Sequence, residues 1–315
     1  MIMKQRLYPE MIKKLEMLQL RIPTDHQKYH VISGDLAKRR AGYFGERSID
    51  YYLEFLPDKH FILHDVRLFD GAHYFQLDTV ILSRKFILIL EVKNYAGTLF
   101  FDSNFNQLIR IQDEKKEAFP DPILQVERQS YQLKKWLRLA HYDMPVESLV
   151  IISTPRTILG TTPQNEKIYR KVIQSAKLPF VMMKLEQTNK KNYISEEQLL
   201  QLSKFILDSH SPLEIDILTH YQIQKSDIIK GVICSQCQAI PMERRKGKWI
   251  CETCSFVSKD AHISALKDYS LLIDTTITNK KMRDFLKISS TSVANKLLFS
   301  LKLRSSGTNK GESTS

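Results

Sequence analysis

The chain has 315 residues, 43% of them hydrophobic, and 47 Lys and Arg against 35 Asp and Glu give a formal charge of +12 and a pI of about 9.4. That length supports a full core with smaller modules attached, and the positive balance favours polyanionic partners, nucleic acid first among them. No stretch reaches the roughly 18 apolar residues of a membrane span, and the opening "MIMKQRLYPEMIKKLEMLQL" breaks its apolar positions with Lys, Arg and Glu, unlike a signal peptide, so a soluble, cytoplasmic protein with no membrane partner is expected.

In chain order, residues 1–33 read as an amphipathic helix and a polar connector. "GDLAKRRAGYFGERSIDYYLEFL", 34–56, has helical periodicity, with Leu36, Ala41, Phe44, Ile49, Leu53 and Leu56 available for one broad face. Three strand-like runs follow, "HFILHDV" (60–66), "YFQLDTVIL" (74–82) and "FILILEVKNY" (86–95), and then a hairpin in "GTLFFDSNFNQLIRI" turning at Asn104 to Asn106. "DPILQVERQSYQLKKWLRLA", 121–140, opens with Asp121 as N-cap and Pro122 in the first turn of a helix. "ESLVIIS" (147–153) and "LPFVMM" (178–183) read as buried strands, and "SEEQLLQLSKFILDS" (195–209) as a closing helix. Residues 34–210 thus form an α/β domain; 211–230 is a linker, and 305–315 a flexible tail of low complexity.

The third run is unusual because Glu91 and Lys93 interrupt it where a buried strand would continue. A tight hairpin centred on Arg84 and Lys85 would set Asp78 opposite Glu91 and Gln76 opposite Lys93, all four on one face. The sheet reads as apolar on both sides, so charges there need compensation. Two carboxylates suit Mg²⁺ or Mn²⁺, which would hold a phosphate oxygen and acidify a bound water, with Lys93 orienting that water or stabilising the transition state. An ion pair of Lys93 with Asp78 or Glu91 alone is the competing reading. Gly42 and Gly45, three apart on the first helix, read as a close-packing face.

The order "AGYFGE", "QLDTVIL", "ILEVKNYAGTL" and "DPILQVERQ" over residues 41–130 resembles the nuclease-related domain (NERD) family of the restriction-endonuclease-like, PD-(D/E)xK group. The resemblance implies an α-β-β-β-α-β core, a mixed sheet flanked by helices, with Asp78 and Glu91 as metal ligands and Lys93 as catalytic lysine. It also implies that Glu46 and Gln125, otherwise readable as a solvated helix residue and a first-turn polar residue, support the site. Gln76 departs from the family, which commonly has Glu two residues before the aspartate.

Residues 231–260 hold all four cysteines, Cys234, Cys237, Cys251 and Cys254, as C-x₂-C-x₁₃-C-x₂-C. The spacing resembles a zinc ribbon with tetrahedral, closed Zn²⁺, a redox dithiol pair being the alternative. Between the pairs, Arg244, Arg245, Lys246 and Lys248 are candidates for phosphate contacts, or simply a solvated turn. Within 261–304, "TNKKMRDFLKISSTSVANKLLFSLKL" reads as two short helices with Ser289 or Ser290 as N-cap, a helix-turn-helix carrying Lys280, Lys281 and Lys296, or a helical hairpin that only packs. Together these features point to a metal-dependent nuclease acting on nucleic acid, DNA ahead of RNA. The alternative is a non-catalytic DNA-binding or regulatory protein that keeps the nuclease fold.

Overall fold

The computed structural model describes residues 1–162, 165–302, 305–306 and 313–314. The tail expected over 305–315 and the end of the helical module, 303–304, therefore lie largely outside the described residues. Packing divides the chain into two units, one of Met1–Leu7 with Arg40–Leu213, the other of Tyr8–Arg39 with the residues from Glu214 onward. The opening elements are β1 (Ile2–Lys4), α1 (Glu10–Arg21), α2 (Tyr29–Ser48) and the single-turn α3 (Asp50–Leu53). The periodicity read over 34–56 is thus two helices; Leu36, Ile49, Leu53 and Leu56 are buried, while Ala41 and Phe44 are exposed.

In the first unit the chain continues through β2 (Phe61–Phe69), β3 (Tyr74–Leu82), β4 (Ile87–Lys93), β5 (Thr98–Asp102), β6 (Gln107–Gln112) and β7 (Lys115–Pro120). After these come α4 (Pro122–Leu139), β8 (Val146–Ile152), β9 (Ile158–Thr161), α5 (Glu166–Lys171), β10 (Val172–Gln174), α6 (Leu178–Thr188) and α7 (Glu196–Asp208). The main sheet is mixed and six-stranded, in the order β1-β2-β3-β4-β8-β10. Its central strands β2, β3 and β4 are antiparallel neighbours and β4 runs parallel to β8, so the order α2, β2, β3, β4, α4, β8 is the α-β-β-β-α-β succession. Between β4 and α4 the chain forms β5, β6 and β7, which β9 later joins, parallel to β5, in a second, four-stranded sheet of order β7-β6-β5-β9. Its β5–β6 hairpin turns at the expected place because Asp102 Oδ1 accepts from the amides of Asn104 and Phe105.

Strand β4 is covered on both faces, which is why it reads as a continuous apolar run as far as Leu90. Ile87 and Ile89 join one core with Ile123, Val126, Leu133 and Trp136 of α4, and Leu88, Leu90 and Val92 join another with Leu53 of α3 and Leu178 and Met182 of α6. By alternation Glu91 and Lys93 continue the face under α4. The start of α4 is built as its sequence indicates, with Asp121 Oδ1 accepting from Ile123 N at 2.7 Å.

The strand expected at "LPFVMM" is instead the helix α6. Leu178 and Met182, four apart, are buried while Phe180 and Met183 are exposed, a helical period that a six-residue apolar run hardly distinguishes from a strand. The buried strand in this region is the shorter β10, parallel to β8.

The second unit contains α8 (Ile217–Tyr221), β11 (Glu243–Arg245), β12 (Lys248–Ile250), β13 (Val257–Ser258), α9 (Ala261–Leu272), β14 (Ile277–Thr278), α10 (Asn279–Leu286) and α11 (Thr291–Ser300). Helix α8 lies within the stretch read as a linker, with Ile217, Leu218 and Tyr221 buried. Arg21 of α1 holds this unit together. It is fully buried, pairs through Nε and Nη2 with Asp268 Oδ2 at 3.0 and 2.6 Å, and donates from Nη1 to the carbonyls of Ile229 and Gly231. Its guanidinium also lies over the Phe285 ring, 4.8 Å from the centroid. Among the described residues no helix is long and apolar enough to cross a membrane.

Candidate functional site

Register brings the acidic residues of β3 and β4 together. Thr79 pairs with Leu90, Val80 with Ile89, Ile81 with Leu88 and Leu82 with Ile87, the alignment that the hairpin at Arg84 and Lys85 implies. Pairing stops at Thr79 and Leu90, and there Asp78 Oδ2 accepts from Val92 N at 2.9 Å. The inward face of β3 also shifts at this point, since Val80 and Leu77 belong to the same core although three residues apart. Gln76 is consequently not opposite Lys93, which corrects the expectation of four side chains on one face. It pairs with Arg67 of β2, and its Nε2 donates to Asp65 Oδ1 at 2.7 Å.

Lys93 and Gln125 reach Glu91 from two sides. Lys93 Nζ donates to Glu91 Oε1 at 2.7 Å and to Gln125 Oε1 at 3.0 Å, and Gln125 Nε2 donates to the same Glu91 Oε1 at 2.7 Å. Gln129, one turn further along α4, donates from Nε2 to Glu91 Oε2 at 2.9 Å and to the Gln76 carbonyl at 2.9 Å. Its buried Oε1 has no hydrogen-bond partner among the described residues. Sequence reasoning missed Gln129 although it sits four residues after Gln125, the spacing that places two side chains on one helix face.

The Glu91–Lys93 ion pair is present, but it does not account for Asp78. Lys93 bonds Glu91 and Gln125, and among the described residues Asp78 accepts a hydrogen bond from the Val92 amide alone. Its carboxyl is pushed well above the usual range, by burial first and then by the charges of Glu91 and Glu46. Burial also works against the Lys93 ammonium, yet the pull of Glu91 and Asp78 outweighs it, so the amine is held above its ordinary value and stays charged. One cation thus faces two carboxylates, with Asp78 Oδ1 unengaged among the described residues. Two hard oxygen donors and a deficit of positive charge are what a small divalent cation fits.

Glu46 is engaged by a residue that no local signal indicated. Arg6 Nη1 donates to Glu46 Oε2 at 2.6 Å, with the Arg6 side chain only 4% exposed. Burial pushes the Glu46 carboxyl up to about 7, Arg6 opposing the shift and Asp65 and Glu91 adding to it. In the metal-free protein, the stability contributed by protonated Glu46 is complete below its ordinary value of 4.5 and lost as pH rises through about 7. Glu46→Gln is therefore expected to flatten the dependence of Tm on pH across that window. Identical slopes for the two proteins in a metal-free melting series would refute it.

Close packing anchors α2 against the end of β4. A Cβ on Gly45 would lie 2.3 Å from Asn94 Cβ, whereas one on Gly42 would meet nothing within 4 Å, so the close-packing role falls to Gly45 alone. Asn94 Nδ2 donates to the Ala41 carbonyl at 2.7 Å, and its Oδ1 accepts from Thr154 and Ser153 at 2.5 and 3.2 Å. Gly45→Ala is expected to cost about 1–3 kcal/mol by overpacking. Denaturant melts should show it, and a neutral result would mean that Asn94 can move aside.

In the second unit the four cysteines form one cluster, each ligand sulfur within 4.8 Å of the others. Cys234 and Cys254 sulfurs are 3.6 Å apart and those of Cys237 and Cys251 3.5 Å, close to the edge of about 3.8 Å that tetrahedral Zn–S bonds require. Both loops have the same form. Gln238 N donates to the Cys234 carbonyl and Ser255 N to the Cys251 carbonyl, each at 2.9 Å, with Gln238 and Ser255 both left-handed. The cluster fits a metal such as zinc. Trp249 of β12 is fully buried and donates to His262 Nδ1 of α9 at 3.3 Å, tying the cysteine module to the helices.

The basic residues of this unit differ in what they are free to do. Arg244 stacks over Trp249, Arg245 is bridged to Glu243 and Glu252, and Lys281 is paired with Asp274 at 2.8 Å. Lys246, Lys248, Lys280 and Lys296 are exposed. Helix α11 begins as expected, with Ser290 Oγ accepting from Val293 N, and exposes Thr291, Ser292, Asn295, Lys296 and Phe299.

Residues 41–153 match the nuclease-related domain family, NERD. No curated protein matches the chain. Among solved structures, the small subunit of the heterodimeric restriction endonuclease R.BspD6I is similar over 51% of this chain and 88% of its own, at 13% identity and a TM-score of 0.19. That score is too low for structural correspondence, and the fold assignment rests on the strand order.

Proposed function

From a chain that carries a nuclease-related domain over residues 41–153, we propose a metal-dependent nuclease that hydrolyses phosphodiester bonds, in DNA ahead of RNA, with its C-terminal modules binding the nucleic acid. The observation that carries the reading is the convergence of Glu91, Lys93 and Gln125 beside Asp78, where one ammonium is left to serve two carboxylates.

Asp78 and Glu91 would hold Mg²⁺ or Mn²⁺, which when bound neutralises charge on the phosphate and lowers the pKa of a bound water. Lys93 keeps a third N–H beyond the two given to Glu91 and Gln125, which would serve a phosphate oxygen or the attacking water. Gln125 and Gln129 fix the Glu91 carboxylate through its two oxygens, so the acceptor does not rotate as charge develops. The test is cleavage of linear, nicked and single-stranded DNA and of RNA, with Mg²⁺, with Mn²⁺ and with chelator. Cleavage of none of them under any metal condition would leave the rival reading, a nucleic-acid-binding protein that keeps the fold, which Gln76 in place of the family's glutamate favours.

For the C-terminal modules we propose a zinc ribbon over 231–260 and a helix-turn-helix over 261–304 whose second helix, α11, enters the groove. Removing residues from 225 onward would also strip Arg21 of Asp268, so side-chain substitution is the cleaner probe. Replacing Lys246, Lys248, Lys280 and Lys296 with alanine should flatten log affinity against log salt, by about 0.9 for each phosphate no longer neutralised. Equal salt slopes for the two proteins would remove these lysines from the interface.

A further inference from the structure

Hydrolysis of a phosphodiester can use one divalent cation or two. Given the site proposed above, the acidic groups around Asp78 and Glu91 decide which. The position two residues before Asp78 holds Gln76, a neutral amide, and Gln76 Nε2 engages the neighbouring carboxylate of Asp65 at 2.7 Å. The remaining acid, Glu46, already has a cation against it. Arg6 Nη1 donates to Glu46 Oε2 at 2.6 Å.

Arg6 is not free to swing aside. Its Nη2 lies 2.9 Å from Thr79 Oγ1 and 2.9 Å from His64 Nδ1, and Nε and Nη2 reach Asp50 Oδ1 at 3.4 and 3.3 Å. The strand before it is fastened too, with Lys4 Nζ donating to the carbonyls of His64 and Asp65 at 3.0 and 2.9 Å. Thr79 follows Asp78 directly, so the guanidinium is seated beside the acidic residues. A second dication at Glu46 would have to displace a buried, multiply bonded guanidinium and accept its repulsion.

We propose that this site takes a single divalent cation, on Asp78 and Glu91, and that the Arg6 guanidinium is the resident second cation, neutralising Glu46 where a second metal would otherwise sit. Arg6 is then a positioning residue, and it lies outside the family-matched residues 41–153. The strand β1 segment is part of the site rather than an appendage.

The experiment counts tightly bound Mn²⁺ on the zinc-loaded full chain at pH 8, from the EPR signal of the free ion. Wild type should bind one equivalent, and Glu91→Ala none. Glu46→Gln should keep one equivalent with affinity within about 3-fold of wild type, since Glu46 is no ligand, whereas loss of a ligand weakens binding by more than the 10-fold to 100-fold seen for outer-shell partners. Arg6→Gln should bind two, and Glu46→Gln added to it should return the count to one. Two equivalents in wild type, a clear loss of affinity in Glu46→Gln, or a folded Arg6→Gln protein still binding one would each overturn the single-cation proposal while leaving a metal nuclease intact. No bound Mn²⁺ in wild type would instead remove the metal site itself.

Discussion

Glu91→Ala should lower metal-dependent cleavage by about 10³-fold or more while the nuclease-related domain stays folded. The side chain touches Lys93, Gln125 and Gln129 and fills no hydrophobic position, so its loss disperses the site more than the core. Lys93→Ala should have a comparable effect, because its ammonium is the cation shared between Glu91 and Gln125. Asp78→Asn gives a sharper signature. The Asp78 carboxyl is raised well above its ordinary 3.8 by burial and by neighbouring negative charge, so in the metal-free protein its contribution to stability is complete below that value and is lost as pH rises above it, where the unfolded chain ionises more readily than the fold. The amide should therefore raise Tm at pH 7 without metal, an advantage that fades below pH 3.8, even as activity disappears. Full activity in Glu91→Ala, or a lower metal-free Tm in Asp78→Asn at neutral pH, would sink the assignment.

Stripping the metal from the cysteine cluster should unfold the ribbon. Its strands β11, β12 and β13 span at most three residues each, too little to bury an independent core. Metal–thiolate binding, about 10–16 kcal/mol in zinc-finger peptides, would supply the folding free energy. The chain's two tryptophans allow the event to be located, since Trp136 belongs to the core under α4 and Trp249 to β12. In a Trp136→Phe protein, chelation should shift the emission of Trp249 to the red, and Cys251→Ser should reproduce the shift without chelator. Elemental analysis should find one zinc per chain. Protein purified without chelator that holds no zinc and shows no emission change would exclude a structural metal.

Local chemistry explains which elements were readable in advance. Asp121 before Pro122, Ser290 before α11 and Ser195 before α7 all cap their helices through their own side chains, an interaction of a few neighbouring residues. The hairpin at Arg84 and Lys85 aligns β3 with β4 because a short turn leaves little choice of register. The four cysteines cluster because two C-x₂-C loops each bring a pair of sulfurs together. Where apolar residues run consecutively, as in Leu178 to Met183, short-range pattern does not separate helix from strand, and burial on one side only decided for α6.

The residue types of the candidate site, the order of the core elements and the cysteine cluster were legible along the chain, because each depends on neighbours or on a set spacing. Tertiary structure alone decided that Arg6 meets Glu46 across 40 residues, that Gln129 joins Gln125 on Glu91, that Gln76 turns to Asp65, and that Arg21 of α1 is buried against Asp268. These are pairings between charged or amide groups brought together by strand addition and helix packing. Their partners carry no periodicity or motif, and only the closed fold, by removing water from around them, makes each one choose the other.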